Sequence, residues 1–240
     1  ETPLRAWNWR IIHRDSPDRR GVDVAMLFRP DQVEVFSTRY LHVQFPQDTA
    51  VRTRDILLAG CLLHGCDTLY VAVNHWPSRR GGEALSKSRR NRAATVLRMA
   101  LDSIRLFHPG ASILIMGDFN DEPADESLRH VLGARLSREP VEAGALYNLM
   151  GIRNLDRPEG TLRYRDQWST FDQFIVSGAL MAGLSGLRAG PDQAKVFRPA
   201  FLLEEDRTWF GKKLVRTYNG PAYQGGFSDH LPVVVDVLRE

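Results

Sequence analysis

Apolar residues along the chain come in short blocks and alternating stretches, separated by clusters of Gly, Pro, Asp and Ser. That is the period of strands, in which successive side chains face opposite sides of a sheet. It predicts strands over residues 9–13, 22–28 and 33–43. Residues 55–63 and 68–75 predict a hairpin that turns at His64-Gly65-Cys66-Asp67. Residues 113–116, 174–176 and 233–237 complete the set. One stretch has a different period. Ala93, Val96, Leu97, Ala100, Leu101 and Ile104 recur at helical spacing, so a helix is expected over 88–107. Ser86 or Ser88 would cap it, and Pro109-Gly110 would stop it. A shorter helix is expected over 125–132. Strands dominate, and the fold class that follows is α+β. Two mainly antiparallel sheets would pack face to face with helices outside, a four-layer α/β/β/α sandwich.

Composition narrows this only a little. The 240 residues suit a single domain over 1–240, and 43% hydrophobic with 25% charged residues is the balance of a globular protein. No apolar run reaches the roughly 18 residues that a membrane span needs. The start, Glu1-Thr2-Pro3-Leu4, lacks the basic-then-apolar pattern of a secretory leader and has no initiator Met, so a mature or trimmed form is expected. The sequence assigns no compartment. Net charge is +3, but between Arg79 and Arg92 six residues are Arg or Lys and only Glu83 opposes them. Such a cluster suits an anionic substrate such as a phosphate, and a solvated helix start explains it equally. Cys61 and Cys66 flank the predicted turn. They could form a disulfide across it or stay as thiols, and with one nearby His they are too few for a structural zinc site.

Four polar elements stand at strand ends. After the apolar run 113–116 come Gly117-Asp118-Phe119-Asn120, with a carboxylate and an amide two residues apart and therefore on one side of an extended chain. Phe227-Ser228-Asp229-His230-Leu231-Pro232 precedes the last strand and pairs a possible cation ligand with a proton carrier. Asn74-His75-Trp76-Pro77 ends another apolar run. Asp172 opens the strand 174–176 and could orient a histidine by accepting its ring N–H. Taken singly, each element is an ordinary turn or cap.

Together, in the order His, Asp-x-Asn, Asp, Asp-His, they resemble the endonuclease/exonuclease/phosphatase superfamily. The stretch Gly117-Asp118-Phe119-Asn120 and the stretch Ser228-Asp229-His230-Leu231-Pro232 carry the most specific likeness. Residues 74–82 are similar to a bacterial branch of that family. The resemblance implies that Asp118 orients or deprotonates the attacking water and that Asn120 holds that water or a phosphate oxygen. It implies that His230 acts on the scissile phosphate, that Asp172 fixes the tautomer of His230 or His75, and that His75 contacts phosphate or protonates the leaving oxygen. Asp229 would contribute to a site for Mg2+, with Mn2+ as a substitute. Arg20, Asn74 and Arg79 are further candidates for substrate contact, the arginines because their forks match phosphate oxygens.

One departure qualifies the resemblance. The family places an Asn and a metal-binding Glu on strands upstream of the segment seen here at 20–25, and neither is found; Glu1 is the one acid before Asp15. Two expectations follow. The first strands lie outside this chain, which is then an N-terminally incomplete domain, or the chain is a degenerate member. The function expected is metal-dependent hydrolysis of phosphate esters, as a phosphodiesterase or nuclease using an activated water. The alternative is a non-catalytic module that keeps the fold for binding. The expected partner is a phosphate ester, nucleic acid included, met by a monomer. A track of Trp76, Arg79, Arg80, Trp168, Trp209 and Tyr223 would suit a nucleic-acid strand. Residues 195–226, a long insertion, would shape specificity.

Overall fold

A computed structural model describes residues 8–239; Glu1 lies outside them. Strands β1 (Arg10–His13) and β2 (Ala25–Phe28) form an antiparallel pair. Then β3 (Val33–Leu41), β4 (Ile56–Leu63) and β5 (Asp67–His75) run as a meander. Helix α1 (Glu83–Phe107) crosses over to β6 (Ile113–Asp118), which lies parallel to β5. Short strands β7 (Ala134–Arg135) and β8 (Leu146–Asn148), helix α2 (Leu149–Asp156) and the hairpin β9 (Leu162–Tyr164) and β10 (Gln167–Ser169) follow. Strand β11 (Asp172–Ser177) leads into the single turn α3 (Gly178–Met181). The remainder holds β12 (Leu187–Arg188), β13 (Ala194–Val196), β14 (Leu203–Glu205), β15 (Lys212–Leu214), β16 (Tyr218–Asn219), β17 (Ala222–Tyr223), β18 (Val233–Val235) and β19 (Leu238–Arg239).

Seven strands make one mixed sheet in the order β3-β4-β5-β6-β11-β8-β7. The parallel step from β5 to β6 needs a crossover, and α1 supplies it. Its apolar stripe of Ala93, Ala94, Leu97 and Leu101 packs on Ile56, Leu58, Ala72, Ile113 and Ile115. The opposite face of the sheet carries Leu69, Val71, Leu114, Phe174 and Val176, which meet Val196, Leu231, Val233 and Val235. That facing layer is built of short antiparallel pairs, β12 with β19 and β13 with β18. The chain is thus an α+β sandwich, with a large sheet between a helical layer and a second β layer.

Local differences from the expected elements have simple causes. Helix α1 starts at Glu83, not Ser88, because Gly81 and Gly82 turn the chain at positive φ and Gly82 occupies the cap position. Ser86 is no cap. Its hydroxyl donates back to the Gly82 and Glu83 carbonyls, one turn inside the helix. The expected helix over 125–132 is a π-helical turn, Ser127–Leu132, ended by the left-handed Gly133. The strand expected over 22–28 is confined to Ala25–Phe28, and the hairpin turns on His64 and Gly65, both at positive φ. Both cysteines are free: Cys61 faces the inter-sheet core and Cys66 is exposed in the turn.

Gly117 is where the sheet constrains the sequence most tightly. Its φ is +132°, and a Cβ there would collide with the Asn74 carbonyl on the neighbouring strand. Only glycine lets β6 continue past this point to present Asp118. Gly117→Ala is expected to destabilise the fold by more than about 2 kcal/mol, read as a shift of the denaturant midpoint. An unchanged midpoint would show that the strand end is not clamped.

Candidate active site

Strand register assembles the site. His75 pairs with Asp118 across the parallel β5–β6 ladder, and Asp118 pairs with Asp172 across the antiparallel β6–β11 ladder. The three side chains therefore stand in a row at one end of three adjacent strands. Alternation fixes the face. Leu69, Val71 and Leu114, like Phe174 and Val176, point to the inter-sheet core, and by parity His75, Asp118 and Asp172 continue that face to its rim. His230 arrives from the other layer. A bridge between Leu162 and His230, with the Leu231 N–H donating to the Thr161 carbonyl at 2.7 Å, ties its segment to β9. The Thr161 hydroxyl in turn accepts from the Phe171 and Asp172 N–H groups. The result is a 2.6 Å hydrogen bond between His230 Nδ1 and Asp172 Oδ2.

Asp118 is held on both oxygens. Oδ1 accepts the Asn120 backbone N–H at 2.8 Å, and Oδ2 accepts the Asn120 side-chain amide at 2.9 Å. The same amide donates to the Trp76 carbonyl at 3.1 Å. Asn120 has φ +52°, a left-handed conformation that Asn tolerates better than most residues. His75 Nε2 lies 3.4 Å from Asp118 Oδ2. His75, Asp118, Asp172 and His230 keep side-chain exposures between 17% and 31%, so a substrate can reach all four.

The environment drives their protonation apart. Burial, then the Asp172 charge, push Asp118 up to about 6, while His230, the Asn120 N–H and Arg54 hold it from rising further. Burial alone would lower His230, but the hydrogen bond to Asp172 and the charges of Asp172, Asp118 and Asp229 carry it up to about 9. Burial and the charges of Arg54, Arg20 and His230 push His75 down to about 4. At neutral pH the row therefore holds a carboxylate, an imidazolium and a neutral imidazole. The His75–Asp118 contact is accordingly no ion pair.

Arg54 and Asp18 were not anticipated. Arg54 is buried and donates from Nε to the His75 carbonyl at 3.1 Å and from a terminal nitrogen to the Trp76 carbonyl at 2.7 Å. Its other terminal nitrogen meets Asp18 Oδ2 at 2.9 Å. Asp18 also receives the Arg20 guanidinium and backbone N–H. Burial raises the Asp18 carboxyl, but these bonds from Arg20 and Arg54 hold it well below the usual carboxylate range. Buried polar groups need partners, and Arg54 supplies them to the very carbonyls that end β5. Sequence pattern held a faint signal, since Thr53-Arg54-Asp55 places charge directly before a wholly apolar strand.

Three expected contacts are placed elsewhere. Asn74 has the opposite parity to His75 and lies on the helix side of the sheet. Its amide donates to the Ala72 and Met116 carbonyls and accepts the Trp76 indole N–H at 3.0 Å. Arg79 braces the loop behind the row, binding the Asn120 carbonyl at 2.9 Å, Asp121 and Asp125. Trp76 is fully buried against Phe119, so it is no stacking surface. Arg20 does lie beside the row, half exposed on Asp18. Asp229 is exposed next to His230 and makes no hydrogen bond or ion pair with a described residue. Among the described residues, the one group of three or more close acidic or histidine donors is His13, Asp15 and Asp23, which includes no member of the row.

A profile described as "Endonuclease/Exonuclease/phosphatase family" matches residues 1–239. The chain belongs to that family. No curated protein matches it. Among solved structures, a functionally unknown conserved protein from Enterococcus faecalis V583 superposes with TM-score 0.61 at 17% identity, covering 99% of this chain and 80% of that one. The human Nocturnin catalytic domain with bound sulfate anion gives 0.61 at 16% identity, covering 99% and 74%. D. rerio TDP2 complexed with single strand DNA product gives 0.57 at 16% identity, covering 98% and 78%. At such identities the likeness shows that this endonuclease/exonuclease/phosphatase member shares their fold.

The Asp18–Arg54 pair yields a stability prediction. With both side chains at most 5% exposed, Asp18→Asn leaves a buried cation short of its partner and is expected to cost about 3–5 kcal/mol. Because the Asp18 carboxyl is depressed in the fold, its contribution is full above the unfolded value of about 4 and fades as pH falls below it. Unfolding curves of wild type and variant should therefore converge in acid. Parallel curves at every pH would refute the pairing.

Proposed function

We propose that this chain hydrolyses phosphate esters, with nucleic-acid phosphodiesters as the class its surface suits best. The supporting observation is the Asp172–His230 pair facing Asp118, with pKa values driven apart on neighbouring side chains. Such divergence is how one site provides a base and an acid at a single pH. Asp118 takes a proton from a water as its oxygen attacks phosphorus. The bond from phosphorus to the leaving oxygen breaks in line, and His230, held cationic by Asp172, gives that oxygen its proton. His75, neutral, donates a hydrogen bond to a phosphate oxygen. Asn120 keeps Asp118 aimed.

A divalent cation fits the residues present in a limited way. Asp229 is a free, exposed hard-oxygen donor beside His230, and Mg2+ is held in many sites by one or two carboxylates completed by waters and substrate phosphates. Asp229 would hold Mg2+ or Mn2+ there, and the ion would neutralise charge on the phosphate. One carboxylate makes for weak affinity in the absence of substrate.

The insertion favours nucleic acid. A hollow of ≈ 380 Å3 is lined by Tyr164, Arg165, Trp209 and Arg216, and by Arg163 and Lys213, which pair with its acids Asp206 and Glu204. Arg165 sits over both the Tyr164 and Trp209 rings, and Tyr223 is exposed nearby on β17. Aromatic faces interleaved with cations are what a base-stacking track requires. Trp168 lies under Arg198 at 4.1 Å and is not among the residues that line this hollow.

The test is a panel of single-stranded DNA, RNA, sphingomyelin and inositol phosphates, each with Mg2+ or Mn2+. DNA or RNA should be cleaved fastest, and Asp118→Asn should lower kcat at least ~100-fold. The wild-type rate should fall as pH drops below about 6, where Asp118 takes its proton, and the variant should lack that limb. Full activity of Asp118→Asn would overturn the mechanism. No hydrolysis of any substrate with either metal would favour the binding module.

A further inference from the structure

Six arginines converge beside the row, and of them Arg54 alone is bonded to it, at the His75 carbonyl. Arg19, Arg20, Arg52, Arg54, Arg80 and Arg89 line a pocket of ≈ 340 Å3, to which Asp18 contributes the single acidic side chain. Their partners leave most of this charge uncompensated. Arg20 and Arg54 share Asp18. Among the described residues Arg19 reaches only the Ala50 carbonyl, at 3.4 Å, and Arg52 only the carbonyls of Thr49 and Val51. Arg89 is 3.4 Å from Asp48. Arg80 makes no hydrogen bond or ion pair with a described residue. Like charges gathered in a concavity with so little acid to offset them repel one another and create a strong positive potential.

A second observation is independent of charge. Thr53 lines both this pocket and the neighbouring hollow around His42 and Phe45, is 5% exposed, and its hydroxyl Oγ1 is buried with no partner in the protein, so a turn of its side chain would be needed to present it to the pocket. A buried hydroxyl left unpaired costs roughly 1–3 kcal/mol. An oxyanion in the pocket would give it an acceptor. The pocket also shares a wall with the reacting centre. Arg54 lines it and binds the His75 carbonyl from the same guanidinium.

We propose that this pocket binds a second phosphate group of the substrate, one that is not cleaved. The inference rests on the hydrolase reading for the identity of the molecule, but the pocket's affinity for phosphate stands apart from it. Arginine forks would engage the phosphate oxygens two at a time, and Thr53 would donate to a third. A substrate with two phosphates is then gripped on one group while the other lies between Asp118, His230 and His75. Two sources present such a pair: the backbone of a nucleic-acid strand and a small molecule bearing several phosphates.

The first experiment needs no turnover. Inorganic phosphate is titrated into metal-free protein while the Nε–Hε resonances of Arg20 and Arg54 are followed by NMR. These should shift and saturate, and Arg52→Ala/Arg80→Ala should weaken the apparent Kd at least tenfold. Arg80→Gln alone, at an unpartnered surface side chain, guards against a folding defect and should weaken it at least threefold. Resonances that do not move, or a Kd unaltered in both variants, would overturn the pocket.

The second experiment compares kcat/KM for a dinucleotide with and without a 5′-phosphate, and for an inositol bisphosphate against the monophosphate. The two-phosphate preference should fall at least fivefold in Arg52→Ala/Arg80→Ala for one of the two pairs, which names the source. An unchanged preference in both pairs overturns the substrate role. If wild type hydrolyses neither these four nor any member of the wider substrate panel, the hydrolase reading has failed, and the phosphate titration alone decides the pocket.

Discussion

The ladder pairing of β5, β6 and β11 is the constraint on which the site depends. Side chains two residues apart share a face, so a slip of one position would turn His75, Asp118 and Asp172 into the helix-side core together. Burial prevents that slip. Val71, Leu114 and Phe174 are committed to the inter-sheet core by the same parity, and Ala72, Ile113 and Ile115 to the helix side. The apolar strands thus do more than stabilise the sheet. They place three polar side chains side by side at its rim, and a register error would have to bury charge to occur.

That row would be inert without the second layer. His230 belongs to a segment held by Thr161 and Leu162, and its ring meets Asp172 because β18 is paired with β13 and packed through Val233 and Val235. Asp172 then acts in two directions. Its negative charge raises the proton affinity of His230, and the same charge discourages ionisation of Asp118 beside it. On the far side, Arg54 does the reverse to His75. Burial acts most strongly on all three groups; Asp172 adds to it at Asp118 and overcomes it at His230, and Arg54 adds to it at His75.

Much of this was legible in the sequence because it depends on local order. Gly117-Asp118-Phe119-Asn120 and Ser228-Asp229-His230 each sit at the end of an apolar run, and strand ends in such a sandwich gather at sheet rims. What was not legible depends on contact between distant segments. Arg54 and Asp18 are 36 positions apart and meet only once β4 is in the sheet. Asn74, next to His75 in sequence, lies on the other face of the sheet by strand parity. Arg79 is likewise placed by partners distant in sequence. Arginine beside glycines suits a phosphate, but here Asp121 and Asp125, more than forty residues on, claim the guanidinium first. The helix start was missed because two serines offered a better cap than two glycines, and the backbone chose by φ.

The division of labour between strands and loops has a consequence for specificity. Every member of the row is fixed by a ladder, a bridge or a hydrogen bond, so the sheets set where each side chain stands. The arginine pocket and the aromatic hollow draw mostly on loops, the first on residues 18–20, 50–54 and 77–80 with Arg89 of α1, the second on residues 204–224 with the end of β9. Loops on a rigid scaffold can change length and composition at little cost to the fold. On the hydrolase reading proposed above, the row would act on whatever ester is bound, while the molecule that carries the ester would be selected largely by loop side chains. In this chain the arginine pocket stands on the His75 side of the row and the aromatic hollow beside β9, which is bridged to His230.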